Sequence, residues 1–332
     1  MKQPAFNFRR FIMGVATVAL VSGWAHADNL SIGSMPVGSG WYVGAAAYKK
    51  AVEASGSPIK MEVIARGGGV ANPLVVEQKK VDVAISNVAT SVWARDGILL
   101  YKGKEAKNVR SIVGGLNPVF IGAMVRNKYM QQNGFKSLKD ILESGKPVNI
   151  LMKPPGSNIP PTVDVVLAAH GTSIKKIKSQ GGQVIQVNPD QMASIIRDGR
   201  ADLYFDTILR GHPTITEIAL TGDVKFLDMS EESITALAKV GLKRGNIPKW
   251  FDGQTAEVVG ADFGTHLIVH KDMSDEQAYQ LTKLFVEHSP QIAEEFKAWK
   301  AFKPEFAAKP ENNGVLLHPG AIRYYKEKNI LK

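Results

Sequence analysis

The sequence predicts an α/β chain of two lobes joined by two extended crossings. Short apolar runs alternate with helical spacing from Leu30 onward, and the same alternation restarts after Ser137. Two long apolar runs with internal glycines, Ser111 to Arg126 and Val258 to His270, separate the alternating blocks. Two crossings between two lobes predict a hinge with a cleft, and clefts at strand carboxyl ends are where α/β proteins hold ligands. The expected partition is residues 1–27 as a secretory signal, residues 28–117 with 268–332 as the first lobe, and residues 118–267 as the second.

Leu30 to Gly33 is the first expected strand, followed by a Gly/Pro/Ser loop and a helix from Trp41 to Ala54. In that loop Gly38, Ser39 and Gly40 let the backbone approach a guest, and the positive end of the helix dipole favours an anion or carboxylate. The loop lacks the Gly-Lys-Ser/Thr ending of a nucleotide P-loop. Ile59 to Ala65 is the second strand, ending in Arg66-Gly67-Gly68-Gly69, and a helix from Val70 to Lys79 tolerates Pro73 in its first turn. Val81 to Ser86 is the third strand, followed by Asn87 and a short helix through Trp93. Strand–helix alternation implies a parallel sheet, so the loops Gly33 to Gly40, Arg66 to Gly69 and Ser86 to Thr90 share one rim.

Ser111 to Arg126 is expected as a single strand leaving one lobe for the other. Ser137-Leu138-Lys139-Asp140 has the form of a capping box and opens a helix that stops at Gly145. Val148 to Met152 is a strand with Lys153-Pro154-Pro155-Gly156-Ser157-Asn158 as its loop, and Pro161 suits the start of a helix through His170. A helix from Pro189 to Asp198 leads to a strand, Ala201 to Phe205, that delivers Asp206 and Thr207 to its carboxyl end. Val258 to His270 is the return crossing. Ser274 to Gln277 caps a helix to Glu287, and Pro290 starts a helix through Trp299.

The start of the chain carries an address. Lys2, Arg9 and Arg10 precede an apolar run from Phe11 to Gly23, and Ala25-His26-Ala27 has the small-x-small form of a signal cleavage site. The apolar run is too short to span a bilayer. Export to a bacterial periplasm follows. The chain of 332 residues has a formal charge of +10, and a cut after Ala27 leaves 38 basic and 31 acidic residues, a charge of +7. The excess is spread over the surface, as in Lys175-Lys176-Ile177-Lys178, without the aromatic interleaving of a nucleic-acid platform. No cysteine is present, which removes thiol catalysis and Cys-based metal sites.

Catalytic signatures are missing in turn. There is no Gly-x-Ser-x-Gly elbow, no His-Glu-x-x-His and no kinase or EF-hand pattern. His266 and His270 lie four apart on an expected strand and suit partial burial or the surface better than a metal pair. His318 suits a structural hydrogen bond. Asp202 and Asp206 flank a strand and are the one candidate carboxylate pair for an exported hydrolase. No enzyme activity and no cofactor are expected.

Six segments, in order, resemble those of the TAXI-type solute-binding proteins, the TRAP-associated extracytoplasmic immunogenic proteins. They are Gly33 to Tyr42, Arg66 to Asn72, Val81 to Ser86, Pro154-Pro155-Gly156-Ser157, Asp198-Gly199-Arg200-Ala201-Asp202 and Leu317 to Tyr325. The resemblance implies a two-lobed type II periplasmic-binding-protein fold with two hinge-crossing strands. It further implies no catalysis, a small organic acid ligand such as a dicarboxylate, 2-oxo acid or glutamate, and TRAP transporter membrane subunits driven by an ion gradient as partners; a monomer is expected. Departures fall at the rims. The family's Gln-Ser-Asp is Ser86-Asn87-Val88, its Gly-Ser-Gly-Thr is Gly156-Ser157-Asn158-Ile159, and its Thr-Ala-Gly is Thr207-Ile208-Leu209. Loss of the Asp that could hold an ammonium favours an acid without an amine. The expected ligand site joins Gly38, Ser39, Gly40, Trp41, Tyr42, Gly68, Ser86 and Asn87 of the first lobe to Ser157, Asn158 and Thr207 of the second. A periplasmic sensing subunit of a signalling kinase would share this fold.

Overall fold

A computed structural model describes residue 1, residues 29–37 and residues 39–332. The expected signal, but for Met1, lies outside the described residues, as does Gly38. The chain runs β1 (Asn29–Gly33), α1 (Gly40–Ala54), β2 (Lys60–Ile64), α2 (Ala71–Glu77), β3 (Val83–Ser86), α3 (Val88–Asp96) and β4 (Val109–Val113). After the first crossing come β5 (Phe120–Arg126), α4 (Asn127–Asn133), α5 (Leu138–Glu143), β6 (Asn149–Met152), α6 (Ile159–Ala169), α7 (Ile174–Ser179), β7 (Gln183–Gln186) and α8 (Pro189–Arg197). Then follow β8 (Leu203–Ile208), α9 (Pro213–Thr221), β9 (Val224–Leu227), α10 (Glu231–Ala238), β10 (Lys243–Ile247) and β11 (Val258–Asp262). The chain returns through β12 (His266–His270), α11 (Asp275–Glu287), α12 (Ser289–Glu295) and α13 (Pro319–Glu327).

Two sheets result. The first has the order β2-β1-β3-β12-β4, and the second β10-β11-β5-β8-β6-β7 with β9 also pairing β5. In the first, β1 is parallel to both β2 and β3, while the returning strand β12 is antiparallel to β3 and β4. Neither crossing is one continuous strand, as the apolar runs suggested. A Cβ on Gly114 would stand 2.5 Å from the Asn312 carbonyl oxygen and 2.8 Å from that of Ala307, and Gly115 has φ +68°, so β4 stops where the carboxyl-terminal segment presses on it. The return run breaks at Gly264, φ +63°. His266 and Leu267 therefore pair within the first sheet, just inside the expected boundary of the second lobe.

The local signals hold. Ser137 with Asp140 and Ser274 with Gln277 form capping boxes at α5 and α11, and His318 accepts the Gly320 N–H to cap α13. Helix α6 begins two residues before Pro161, and β8 runs on through Ile208, so Asp206 and Thr207 lie inside the strand. The helix from Pro290 ends at Glu295, ahead of a 3-10 turn over Lys297–Ala301. One buried apolar cluster runs through both lobes. Its joint is Trp93 of α3, fully buried, whose ring meets Phe263 of the return crossing edge-on at 6.1 Å. The Trp93 indole N–H donates to the Val240 carbonyl of the second lobe at 2.6 Å.

A polar chain crosses the interior at the return strand. His266 is fully buried, more completely than its position on a strand led us to expect, with Nε2 2.8 Å from Ser91 Oγ and Nδ1 3.2 Å from Ser111 Oγ. Ser111 Oγ donates in turn to Asn313 Oδ1 at 2.6 Å. Burial pushes the His266 imidazole down to about 3, so it stays neutral in the native state. The unfolded chain binds a proton there near pH 6.5, and the associated stability is complete above that pH and is lost as pH falls toward the folded value. Stability should therefore fall by about 1.4 kcal/mol per pH unit through this one group between about pH 6 and pH 4. Urea midpoints across that range should show a shallower slope in His266→Gln than in wild type; equal slopes would refute the assignment.

Candidate functional site

The loops after β1, β2 and β3 meet on one rim because a buried amide ties them. Asn72, fully buried in the first turn of α2, donates Nδ2 to the Ser34 carbonyl at 3.0 Å and to the Ile85 carbonyl at 2.7 Å. Its Oδ1 accepts the Gly68 N–H at 3.0 Å. The glycines beside it are required by space. A Cβ on Gly67, φ +105°, would lie 2.3 Å from Asn72 Oδ1, and one on Gly69 would lie 2.5 Å from Asn87 Oδ1 and 3.6 Å from the Trp41 ring. Trp41, half-buried against the first-lobe core, thus closes one side of the same spot.

The second lobe brings β6 and β8 side by side in parallel, so that the segments following them lie at the same end of its sheet. Lys153, one residue past β6, places Nζ 2.6 Å from Asp206 Oδ1 and 2.9 Å from Thr207 Oγ1. Asp206 is fully buried and also accepts the Tyr204 hydroxyl. Burial alone pushes the Asp206 carboxyl up. The Lys153 ammonium, His212 and the hydrogen bonds from Lys153 and Tyr204 outweigh it and hold the group below the usual carboxylate range. Burial pushes the His212 imidazole down to about 4 against the pull of Asp206. An ammonium has three hydrogens, so Lys153 keeps one beyond these two partners.

Helix α6 opens with Pro160 and Pro161, which have no N–H to offer. An anion on this lobe must therefore be held by side chains more than by a helix end. The lobes touch at the site: Asn158 Nδ2 donates to Asn87 Oδ1 at 3.3 Å, and Asn87 Nδ2 donates to the Gly264 carbonyl at 2.9 Å.

Of the residues expected from sequence, Asn87 and Asn158 meet across the lobes, Trp41 lies on the Asn87 side, Gly68 donates its N–H to Asn72, Thr207 accepts from Lys153, and Ser157 is half-buried next to Asn158. Others serve the scaffold. Ser39 accepts the Tyr42 N–H as the cap of α1, and a Cβ on the exposed Gly40 would lie 3.5 Å from the Phe296 ring. The Ser86 hydroxyl is buried among Asn87, Thr90 and Ser91. Tyr42 is half-buried on the first turn of α1. The sequence reasoning missed Asn72 and Lys153, and it took Asp206 for half of a carboxylate pair. Asp202 stands at the other end of β8, roughly 13 Å away at strand rise, beyond the separations that glycoside hydrolysis uses. Asp202 instead accepts the Asn149 N–H and faces Arg126. Among the described residues, no group of three or more His, Cys, Asp or Glu side chains could hold a metal ion, and no helix is long and apolar enough to cross a membrane.

The model of the NMT1-like family matches residues 32–328. Among solved structures, PhnD1 from Prochlorococcus marinus (MIT 9301), determined in complex with methylphosphonate, is 12% identical with a TM-score of 0.54 over 92% of this chain and 100% of that one. The periplasmic aliphatic sulphonate binding protein SsuA from Escherichia coli is 12% identical with a TM-score of 0.44, covering 90% of this chain and 78% of that one. The likeness to PhnD1 is one of fold, and the expected α/β architecture, two lobes of the type II periplasmic-binding-protein kind, holds.

Removing the Asn72 amide leaves two buried carbonyls and one N–H without partners. Asn72→Ala should cost about 3 kcal/mol of stability in urea unfolding. Gly67→Ala, which displaces the same amide, should cost a similar amount, and the double variant should cost clearly less than the sum. Additive losses would show that the two residues act separately.

Proposed function

For a chain that belongs to the NMT1-like family, we propose the role of a periplasmic solute receptor of the TAXI type. It binds a small carboxylate between its lobes, closes on the two crossings, and as a monomer without cofactor or catalysis delivers the acid to TRAP transporter membrane subunits. The observation that supports this reading is the Asn158–Asn87 hydrogen bond between the lobes, with Gly69 and Trp41 beside Asn87 on one side and the Lys153–Asp206–Thr207 cluster on the lobe of Asn158. The remaining hydrogen of the Lys153 ammonium takes the carboxylate, the Thr207 hydroxyl is committed to Asp206 and Lys153, and Trp41 packs on the body of the ligand. Asp206 fixes the ammonium and is itself consumed by Lys153 and Tyr204, so it is not available to an amine on the ligand. The six-segment resemblance supports the TAXI subtype, and the basic, apolar, small-residue start supports export through a cleaved signal.

Residues 28–332, unfolded and refolded to strip bound solute, should be stabilised by one or two small acids in a thermal-shift panel of glutamate, glutamine, 2-oxoglutarate, succinate and neutral sugars. At one hundred times its dissociation constant the ligand adds about 2.7 kcal/mol. 2-Oxoglutarate should act at lower concentration than glutamate, and Asn158→Ala, at a half-buried position, should weaken the response about tenfold. A response to sugars alone, or to every acid equally, would refute the carboxylate site. Co-purification of the ligand-loaded protein with its cognate membrane subunits tests the transport role.

A further inference from the structure

A cavity of about 130 Å³ lies at the hinge, and none of Trp41, Gly68, Asn87, Lys153, Asn158 and Thr207 lines it. Its walls include Asn117 of the first crossing, Asp262 and Thr265 of the second, Lys243 of β10, and Lys303 and Asn312 of the carboxyl-terminal segment. Thr265 is fully buried, and its hydroxyl has no hydrogen-bond partner among the described residues. Lys243 Nζ donates to Asn312 Oδ1 at 2.9 Å, a bond from the second lobe to a segment packed on the first. Lys303 is exposed at the mouth, with Nζ 5.9 Å from the centre of the Phe306 ring. The one carboxylate facing the space, Asp262, already accepts the Val119 and Gly264 N–H groups, each at 2.8 Å, through Oδ1. Two ammonium groups and an orphaned hydroxyl against one engaged carboxylate make a site that favours negative charge.

We propose that this cavity binds a small oxyanion, held by Lys243 and Lys303 with a hydrogen bond from the Thr265 hydroxyl. The space suits an ion of the size of phosphate or sulfate with attendant water. Because Lys243 belongs to the second lobe and Lys303 to the segment bound to the first, the ion links the lobes across the hinge and favours the closed arrangement. Whatever the cleft binds in that arrangement and the hinge ion then raise each other's affinity.

Inorganic phosphate titrated at constant ionic strength should raise the melting temperature of wild type with saturation. Phosphate also stabilises proteins by exclusion from their surface, an effect that does not saturate. Lys303→Gln, at an exposed position that leaves the fold intact, should lose at least about tenfold in apparent affinity, the loss expected on removing one charged partner. Lys175→Gln, an exposed lysine of α7 outside the cavity, should respond as wild type does. An identical response in Lys303→Gln and wild type would overturn the site, as would an equal loss of the response in Lys175→Gln. Small-angle scattering should show phosphate reducing the radius of gyration of wild type and not of Lys303→Gln; an unchanged radius in wild type at saturation would overturn the link between lobes.

Discussion

The amino end of α3 is bonded to the return crossing, and the rest of the molecule is arranged about that attachment. Val88 and Ala89 spend their backbone N–H groups on the carbonyls of Gly264 and Phe263, and Asn87 adds its side chain to Gly264. These are donors that a helix start ordinarily leaves open. Spending them inside the protein means that α3 offers its first turn to the hinge, and that a guest in the cleft is met by side chains. One turn on, Trp93 takes the same helix into the second lobe through Phe263 and Val240. The helix is at once floor, hinge packing and inter-lobe contact.

Around this attachment the polar interior is organised so that few buried groups lack a partner, since each orphan costs on the order of 1–3 kcal/mol. Asn72 meets that demand for the three loops of the first rim, and the chain Ser91, His266, Ser111, Asn313 meets it between α3 and the carboxyl-terminal segment. On the second rim the demand is met by charge. A lysine next to a fully buried carboxylate is stable there only as a pair, because either ion left alone would bear the full cost of desolvation. Pairing also holds the ammonium in one place, which is what a binding site asks of it.

What could be read from the sequence was local. A capping box needs residues three apart, and the two expected from sequence formed. The glycine-rich loops and the first three strands fell where spacing put them. The misreadings share a cause, contact between residues distant in sequence. The glycines at 114 and 115 permit a break but do not show what enforces it; Asn312 and Ala307 do. Nothing near Lys153 shows that Asp206 will stand beside it, although a lysine just past an apolar strand and an Asp-Thr ending another were both visible. Strand β10 reads Lys-Arg-Gly-Asn-Ile and gave no apolar signal because it is an edge of its sheet, where polar residues guard unpaired backbone. The site was half legible for the same reason: loops can be found from composition, but which hydroxyl faces the guest and which caps a helix, as Ser39 does, depends on the turn each adopts.

Strand β12 lies in the middle of the first sheet, between β3 and β4, although it is made after every strand of the second. Until residues 266–270 exist, β3 and β4 have no partner to bridge them, whereas the second sheet is complete as soon as β11 has emerged. The lobe made first is therefore the last to close. Its folding waits on a loop closure that spans the whole second lobe, the kind of non-local step that slows assembly. A chain made from its amino end thus stays open at that end, with one lobe unfinished, for nearly the whole of its synthesis.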